Sequence, residues 1–143
     1  MLSHTYNISL TWKEGRKGEL NSPELSHGFE VATPPQFDKG IHGIWSPEHL
    51  FTASISSCFM TTFLAIAEYS KLEYQCFDCK AEGILAKEDG KFLMTEVILK
   101  PKVKLVNEVD RSKAERIIQK AETACLISNS IKTKVTLEME TWV

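Results

Sequence analysis

Ser46-Pro47-Glu48-His49-Leu50-Phe51-Thr52-Ala53-Ser54-Ile55-Ser56-Ser57-Cys58-Phe59-Met60-Thr61-Thr62-Phe63-Leu64-Ala65-Ile66-Ala67-Glu68-Tyr69 is the stretch that decides the fold. Ser46 is a good N-cap, Pro47 suits the first helical position, and Glu48 puts negative charge in the first turn. The helix is expected to run to about Tyr69 or Ser70. Between Glu48 and Glu68 there is no Asp, Glu, Lys or Arg. Such a length of apolar sequence matches a membrane span. However, Thr52, Ser54, Ser56, Ser57, Thr61 and Thr62 are costly against lipid, whereas inside a protein their hydroxyls can bond helix carbonyls. The stretch therefore reads as a long buried central helix rather than a membrane span. His49, in its first turn, reads as a surface or capping residue.

The composition around this helix is that of a globular protein. The chain has 143 residues, 43% hydrophobic and 25% charged, which excludes disorder, collagen-like repeats and low complexity. A single domain spanning 1–143 is the natural count. Seventeen basic against nineteen acidic residues leave a net charge of −2. No bulk attraction to nucleic acid or to an anionic membrane follows. The N-terminal stretch through Trp12 lacks the basic start and apolar centre of a secretion signal. With four cysteines and no such signal, a cytoplasmic location with mostly reduced thiols is expected.

Upstream of the helix the chain reads as a strand meander. Tyr6, Ile8 and Leu10 alternate with polar neighbours as in a half-buried strand, and Gly15-Arg16-Lys17-Gly18 is a turn. Short strands near Gly18–Leu20 and His27–Val31 complete the meander. Thr33-Pro34-Pro35 then opens a loop reaching Trp45, long enough to suggest a functional lip.

Downstream, Leu72 to Ala86 and Lys91 to Leu105 read as a β-hairpin turned at Asp89-Gly90. Pro101 predicts that its second strand lies at an edge or breaks there. Asp110 is a candidate cap for a helix from Arg111 to about Leu126, with Ala114, Ile117, Ile118, Ala121 and Cys125 on one apolar face. Val135, Leu137 and Met139 alternate as a last strand. The sum is an α+β fold.

Four thiols carry the candidate chemistry. Cys58 and Cys125, taken singly, each read as a small buried hydrophobe. Cys125 lies near a helix C-terminus, where the dipole disfavours a thiolate, so of the two it is the poorer nucleophile. Cys76-Phe77-Asp78-Cys79 has the spacing of a redox or zinc half-site. In a strand, however, residues three apart point to opposite faces, and no second such pair or His pair completes a zinc site. No metal and no cofactor are expected.

Together, Ser46-Pro47-Glu48-His49-Leu50-Phe51, Cys58-Phe59 and Cys125-Leu126-Ile127-Ser128 resemble the OsmC/Ohr family of thiol peroxidases. The Gly15-Arg16-Lys17-Gly18 turn is similar to that family's arginine turn. The resemblance implies an intertwined homodimer that reduces organic hydroperoxides to alcohols. It further implies that Cys58 is the peroxidatic thiol and Cys125 the resolving one, joined as a disulfide that a small dithiol or lipoyl reductant reopens. Arg16 and Glu48 would be the activating residues. Apolar burial raises a thiol's pKa and a mid-helix site lacks an N-terminal dipole, so a cation is expected to hold the Cys58 thiolate. Glu48 and Cys58 lie about 15 Å apart along one helix, so Arg16 and Glu48 are expected to act on Cys58 of a second subunit. Phe51, Phe59, Ile44 and Trp45, with loop neighbours, are the candidate substrate-pocket residues. The family usually places Pro after the second Cys, where this chain has Leu126. The alternative reading is a non-catalytic binding protein for a small apolar ligand such as a fatty acid; a third is a dithiol partner acting through Cys76 and Cys79.

Overall fold

The structure, a computed structural model, describes residues 2–143. The chain divides into two compact units, Met1–Leu50 and Phe51–Val143.

The first unit is a three-stranded antiparallel meander and the loop that follows it. Its strands are β1 (Ser9–Glu14), β2 (Lys17–Asn21) and β3 (Phe29–Ala32), with β2 in the middle. The strand starts later than the alternation of Tyr6, Ile8 and Leu10 indicates, taking in only Leu10 of the three, and the expected half-burial is not seen. All six residues of β1 are exposed, Leu10 and Trp12 by 64% and 72%. The loop is tied down by backbone bonds: Ala32 N donates to Trp45 O at 2.8 Å, and Ile41 N to Thr33 O at 2.9 Å. It ends at buried Ser46, whose Oγ accepts the backbone N–H of His49 at 3.1 Å and pairs with His49 Nδ1 at 2.7 Å. Ser46 is thus the helix cap that the sequence indicates.

Helix α1 (Pro47–Tyr69) begins here and runs into the second unit. Its hydroxyls bond back to carbonyls one turn earlier: Ser54 to Phe51 at 2.7 Å, Ser57 to Ala53 at 2.7 Å and Thr61 to Cys58 at 3.0 Å. Burial departs from expectation. Only the stripe Ile55, Phe59, Phe63 and Ala67 is fully buried, while Met60 and Leu64 are each 38% exposed. The helix is a core helix on one face, because its i, i+4 aromatic stripe is the part that meets the sheet.

The sheet is built on β4 (Tyr74–Glu88) and β5 (Lys91–Leu105), a long antiparallel pair closed by a two-residue turn. Asp89 and Gly90 both have positive φ, 49° and 78°, as that tight turn requires. Gly83 of β4 has a separate reason: a Cβ there would meet the Thr52 side chain of α1, so only glycine admits the helix at this distance.

Of the two outcomes Pro101 suggested, an edge or a break, β5 shows no edge, being a central strand, but its parallel ladder is interrupted at Pro101. Beyond it lie β6 (Lys134–Leu137) and β7 (Glu140–Trp142), both parallel to β5. β6 pairs with Glu96–Leu99 and β7 with Lys102–Lys104. The expected single last strand is split because the ladder skips Pro101, which has no N–H to give. Helix α2 (Arg111–Ala124) makes the crossover that parallel pairing requires. It ends earlier than expected: Cys125 is its extended C-cap, with φ −64° and ψ 114°. α1, α2 and the inward residues Val97, Leu99, Val103 and Leu105 of β5 share one core.

Candidate active site

Two elements far apart in sequence bring Cys58 and Cys125 together. Cys58 projects from the middle of α1, half-buried, one position before the core residue Phe59. Cys125 is fully buried where the chain leaves α2. The two thiols lie near enough to shift each other's titration, and neither is in a disulfide. Because Cys125 ends the helix, the chain turns at Leu126-Ile127 into a short 3₁₀ turn, Ser128–Ser130, closed by Asn129 N donating to Cys125 O at 3.0 Å.

That turn governs the electrostatics of the pair. Burial pushes the Cys58 thiol up, but four donors outweigh it and hold its pKa below the ordinary thiol value: the N–H of Ile127, the Cys125 thiol, the Thr62 hydroxyl and the N–H of Leu126. Cys125 moves the other way. Burial raises it, the Ser128 hydroxyl and N–H offset this in part, and the negative charge of Cys58 raises it again. Of the two, Cys58 ionises first, and Cys125 keeps its proton and donates it towards Cys58.

These donors are what the sequence reasoning missed. It assigned stabilisation of the thiolate to a cation alone, whereas free N–H groups at the start of a helical turn serve the same end. The signal was present in the departure from the family pattern. A proline at position 126 would have no N–H, so Leu126 adds a donor that the usual residue lacks.

Arg16 is exposed in the β1–β2 turn, where its carbonyl accepts Thr33 N at 3.2 Å. Glu48 is half-buried in the first turn of α1. Ile44 and Trp45 line a groove of about 410 Å³ with Pro35, Gln36 and His49. Phe51 is half-buried against the core of the second unit. Phe59, expected in a substrate pocket, is fully buried instead, 6.1 Å between centroids from Phe77. Cys76 is exposed and Cys79 packs against the core, with its thiol pushed up to about 11 by burial. As strand geometry dictates, those two sulfurs diverge.

The chain is similar to known proteins along most of its length. The family model of OsmC-like proteins matches residues 40–140. The Bacillus subtilis (strain 168) protein YmaD is 27% identical over 98% of this chain and 95% of its own. Peroxiredoxin OsmC of Escherichia coli (strain K12) is 30% identical over 66% of each chain. Among solved structures, an OsmC-like protein of Vibrio cholerae superposes with a TM-score of 0.86 at 25% identity, covering 96% of this chain and 99% of that one. The organic hydroperoxide resistance protein OhrB of Bacillus subtilis follows with a TM-score of 0.71 at 23% identity, covering 96% and 98%. With the family model covering Cys58 and Cys125, both α-helices and strands β4 to β6, the chain belongs to the OsmC-like protein family.

Proposed function

We propose that the protein is a thiol peroxidase that reduces organic hydroperoxides. The observation that carries this reading is the meeting of Cys58 and Cys125, the first thiol acidified by the donors around it and the second pushed up by burial. Relatives named peroxiredoxin and organic hydroperoxide resistance protein support it. The Cys58 thiolate attacks the outer oxygen of the hydroperoxide and breaks the O–O bond. The alkoxide leaves and takes a proton, giving the alcohol, and Cys58 becomes a sulfenic acid. Cys125 then attacks the Cys58 sulfur; a disulfide forms and water leaves. An external dithiol, small or lipoyl-borne, reduces the disulfide and completes the cycle.

In this reading Arg16 orients the peroxide and steadies developing charge, with Glu48 holding the guanidinium. Both act on Cys58 in a homodimer with shared sites, in which the two units of each chain work as one domain. Ile44, Trp45 and Phe51 favour bulky apolar substrates. The setting is the cytoplasm, where a dithiol reductant is at hand.

Reduced protein mixed with cumene hydroperoxide, followed by thiol counting, tests the proposal. The Cys58 and Cys125 thiols are expected to disappear together. Cys58→Ser abolishes the reaction, Cys125→Ser leaves a sulfenic acid open to overoxidation, and Cys76→Ser and Cys79→Ser change nothing. Thiols that survive until the protein is denatured would overturn the peroxidase and favour the apolar-ligand reading.

A further inference from the structure

A half-buried carboxyl lies beside the second thiol. Glu122, in the last turn of α2, is half-buried, and its Oε2 accepts a hydrogen bond from Ser128 Oγ at 3.2 Å. Ser128 also reaches Cys125 with its hydroxyl and its backbone N–H, and Cys125 reaches Cys58. Glu122, Ser128, Cys125 and Cys58 thus form one series of neighbouring polar groups, anchored by the Ser128–Glu122 hydrogen bond and with each thiol near enough to shift the other's titration. None of its links rests on a distant loop, since Cys125 N also bonds to Glu122 O at 3.2 Å.

We propose that Glu122 and Ser128 are a proton relay that activates Cys125 for closure of the disulfide with Cys58. The proposal rests on the peroxidase reading above. Before oxidation, Cys125 donates its proton towards the Cys58 thiolate and has no use for a base. Once Cys58 is a sulfenic acid that charge is gone, and the Cys125 proton is free to turn to Ser128 Oγ. Ser128 passes its own hydroxyl proton to Glu122 as it accepts the one from Cys125. The Cys125 thiolate, steadied by the Ser128 N–H, attacks the Cys58 sulfur and breaks its S–O bond. The hydroxide departs on the side away from Cys125 and takes a proton from solvent to become water, while Glu122, half-exposed, releases its proton to solvent, so the carboxylate is regenerated. Ser128 touches the reacting sulfur; Glu122 acts through it.

The surroundings suit a base. Burial lifts the Glu122 carboxyl above its ordinary range, and the Ser128 hydrogen bond offsets this only in part. The titratable groups of this series facing it are Cys125 on its own helix end and, beyond that thiol, Cys58 on α1. Among the described residues no cation lies within ion-pair distance of its carboxylate.

The test separates the two steps. Reduced protein is mixed with one equivalent of cumene hydroperoxide, the Cys58 sulfenic acid is trapped with a carbon nucleophile, and the disulfide is followed by intact mass. In Glu122→Gln and Ser128→Ala the sulfenic acid still forms, while closure near neutral pH slows by about a hundred-fold. Ser128→Thr, which keeps the hydroxyl, restores closure. In the native chain closure accelerates as pH rises through the titration of Glu122, and Glu122→Gln loses that acceleration, which a packing role would not do. Closure at the native rate with the same pH profile in both variants would overturn the relay. A native chain that forms no sulfenic acid would overturn the peroxidase reading itself, a distinct outcome.

Discussion

Cys58 and Cys125 are separated by most of the second unit and meet; Cys76 and Cys79 are three residues apart and diverge. The surroundings of the two pairs differ as much as their geometry. Cys58 is ringed by N–H, O–H and S–H donors and its thiol is acidified, whereas Cys79 lies among apolar groups and is pushed up to about 11. The cause is the main chain. In β4 the N–H groups lie in the plane of the sheet, towards β5 or away from it at the edge, whereas the cysteine side chains stand out of that plane, leaving little to offer a sulfur. Where α2 ends and the next turn begins, N–H groups are left over and can point at one. Reactivity therefore follows backbone donors that point at the sulfur rather than the spacing of cysteines along the chain.

The largest effect that would break this contrast concerns Phe77, the residue inside the Cys76–Cys79 segment. Its ring stacks on Phe63 at 4.7 Å and 27°, which makes the segment part of the core. Phe77→Ala is expected to cost about 3 kcal/mol in chemical denaturation. Below the unfolding midpoint it leaves the peroxide-driven loss of the Cys58 and Cys125 thiols in place. A cost far smaller than that would mean that the segment is not built for packing.

The same distinction explains what could be read from the sequence. The Ser46 cap, the Asp89-Gly90 turn and the inward face of α2 were legible because each is fixed by neighbours within a few residues. The central position of β5 and its parallel partners were not, since parallel pairing joins distant segments and leaves no local mark. Nor was the buried face of α1: residues that are apolar or hydroxylic on all sides do not say which side is covered, and the answer came from the aromatic stripe at Phe59 and Phe63. The meeting of Cys58 with Cys125 was implied by family resemblance, not by spacing. The donors of Leu126 and Ile127 were invisible because main-chain groups have no letter in a sequence. Glu122 was passed over because a carboxylate near the end of an amphipathic helix looks like any solvated one.

Leu126→Pro sharpens the comparison at the reactive pair. The residue before it is already suited, since Cys125 has ψ 114°, as a residue preceding proline prefers. What changes is one N–H taken from the Cys58 sulfur. A hydrogen bond to a charged group is worth about 1.5 kcal/mol or more, so the pH midpoint for alkylation of Cys58 by iodoacetamide should rise by about one unit. The rate near neutral pH falls in proportion, while Ile127, Thr62 and Cys125 keep the thiol from reverting entirely. An unmoved midpoint would show that the Leu126 donor carries no weight.

The smallest effects belong to the other pair, and they have a sign. Cys79 holds its proton more tightly folded than unfolded, with its pKa raised from 9.0 to about 11. Its contribution to stability is therefore whole below pH 9.0 and drains away as pH rises towards about 11. Lysines titrate over the same range, but they do so equally in a variant that lacks only this thiol. The informative quantity is thus a difference: the denaturation midpoint of Cys79→Val minus that of the native chain, at about pH 8 and again at about pH 10.5. That difference should shift in favour of the variant at the higher pH. Cys76→Ser, exposed on the opposite side of β4, should stay within about 0.5 kcal/mol of the native chain. Equal alkaline behaviour of the Cys79 and Cys76 variants would mean that the two sulfurs share one environment after all, and that β4 does not sort them.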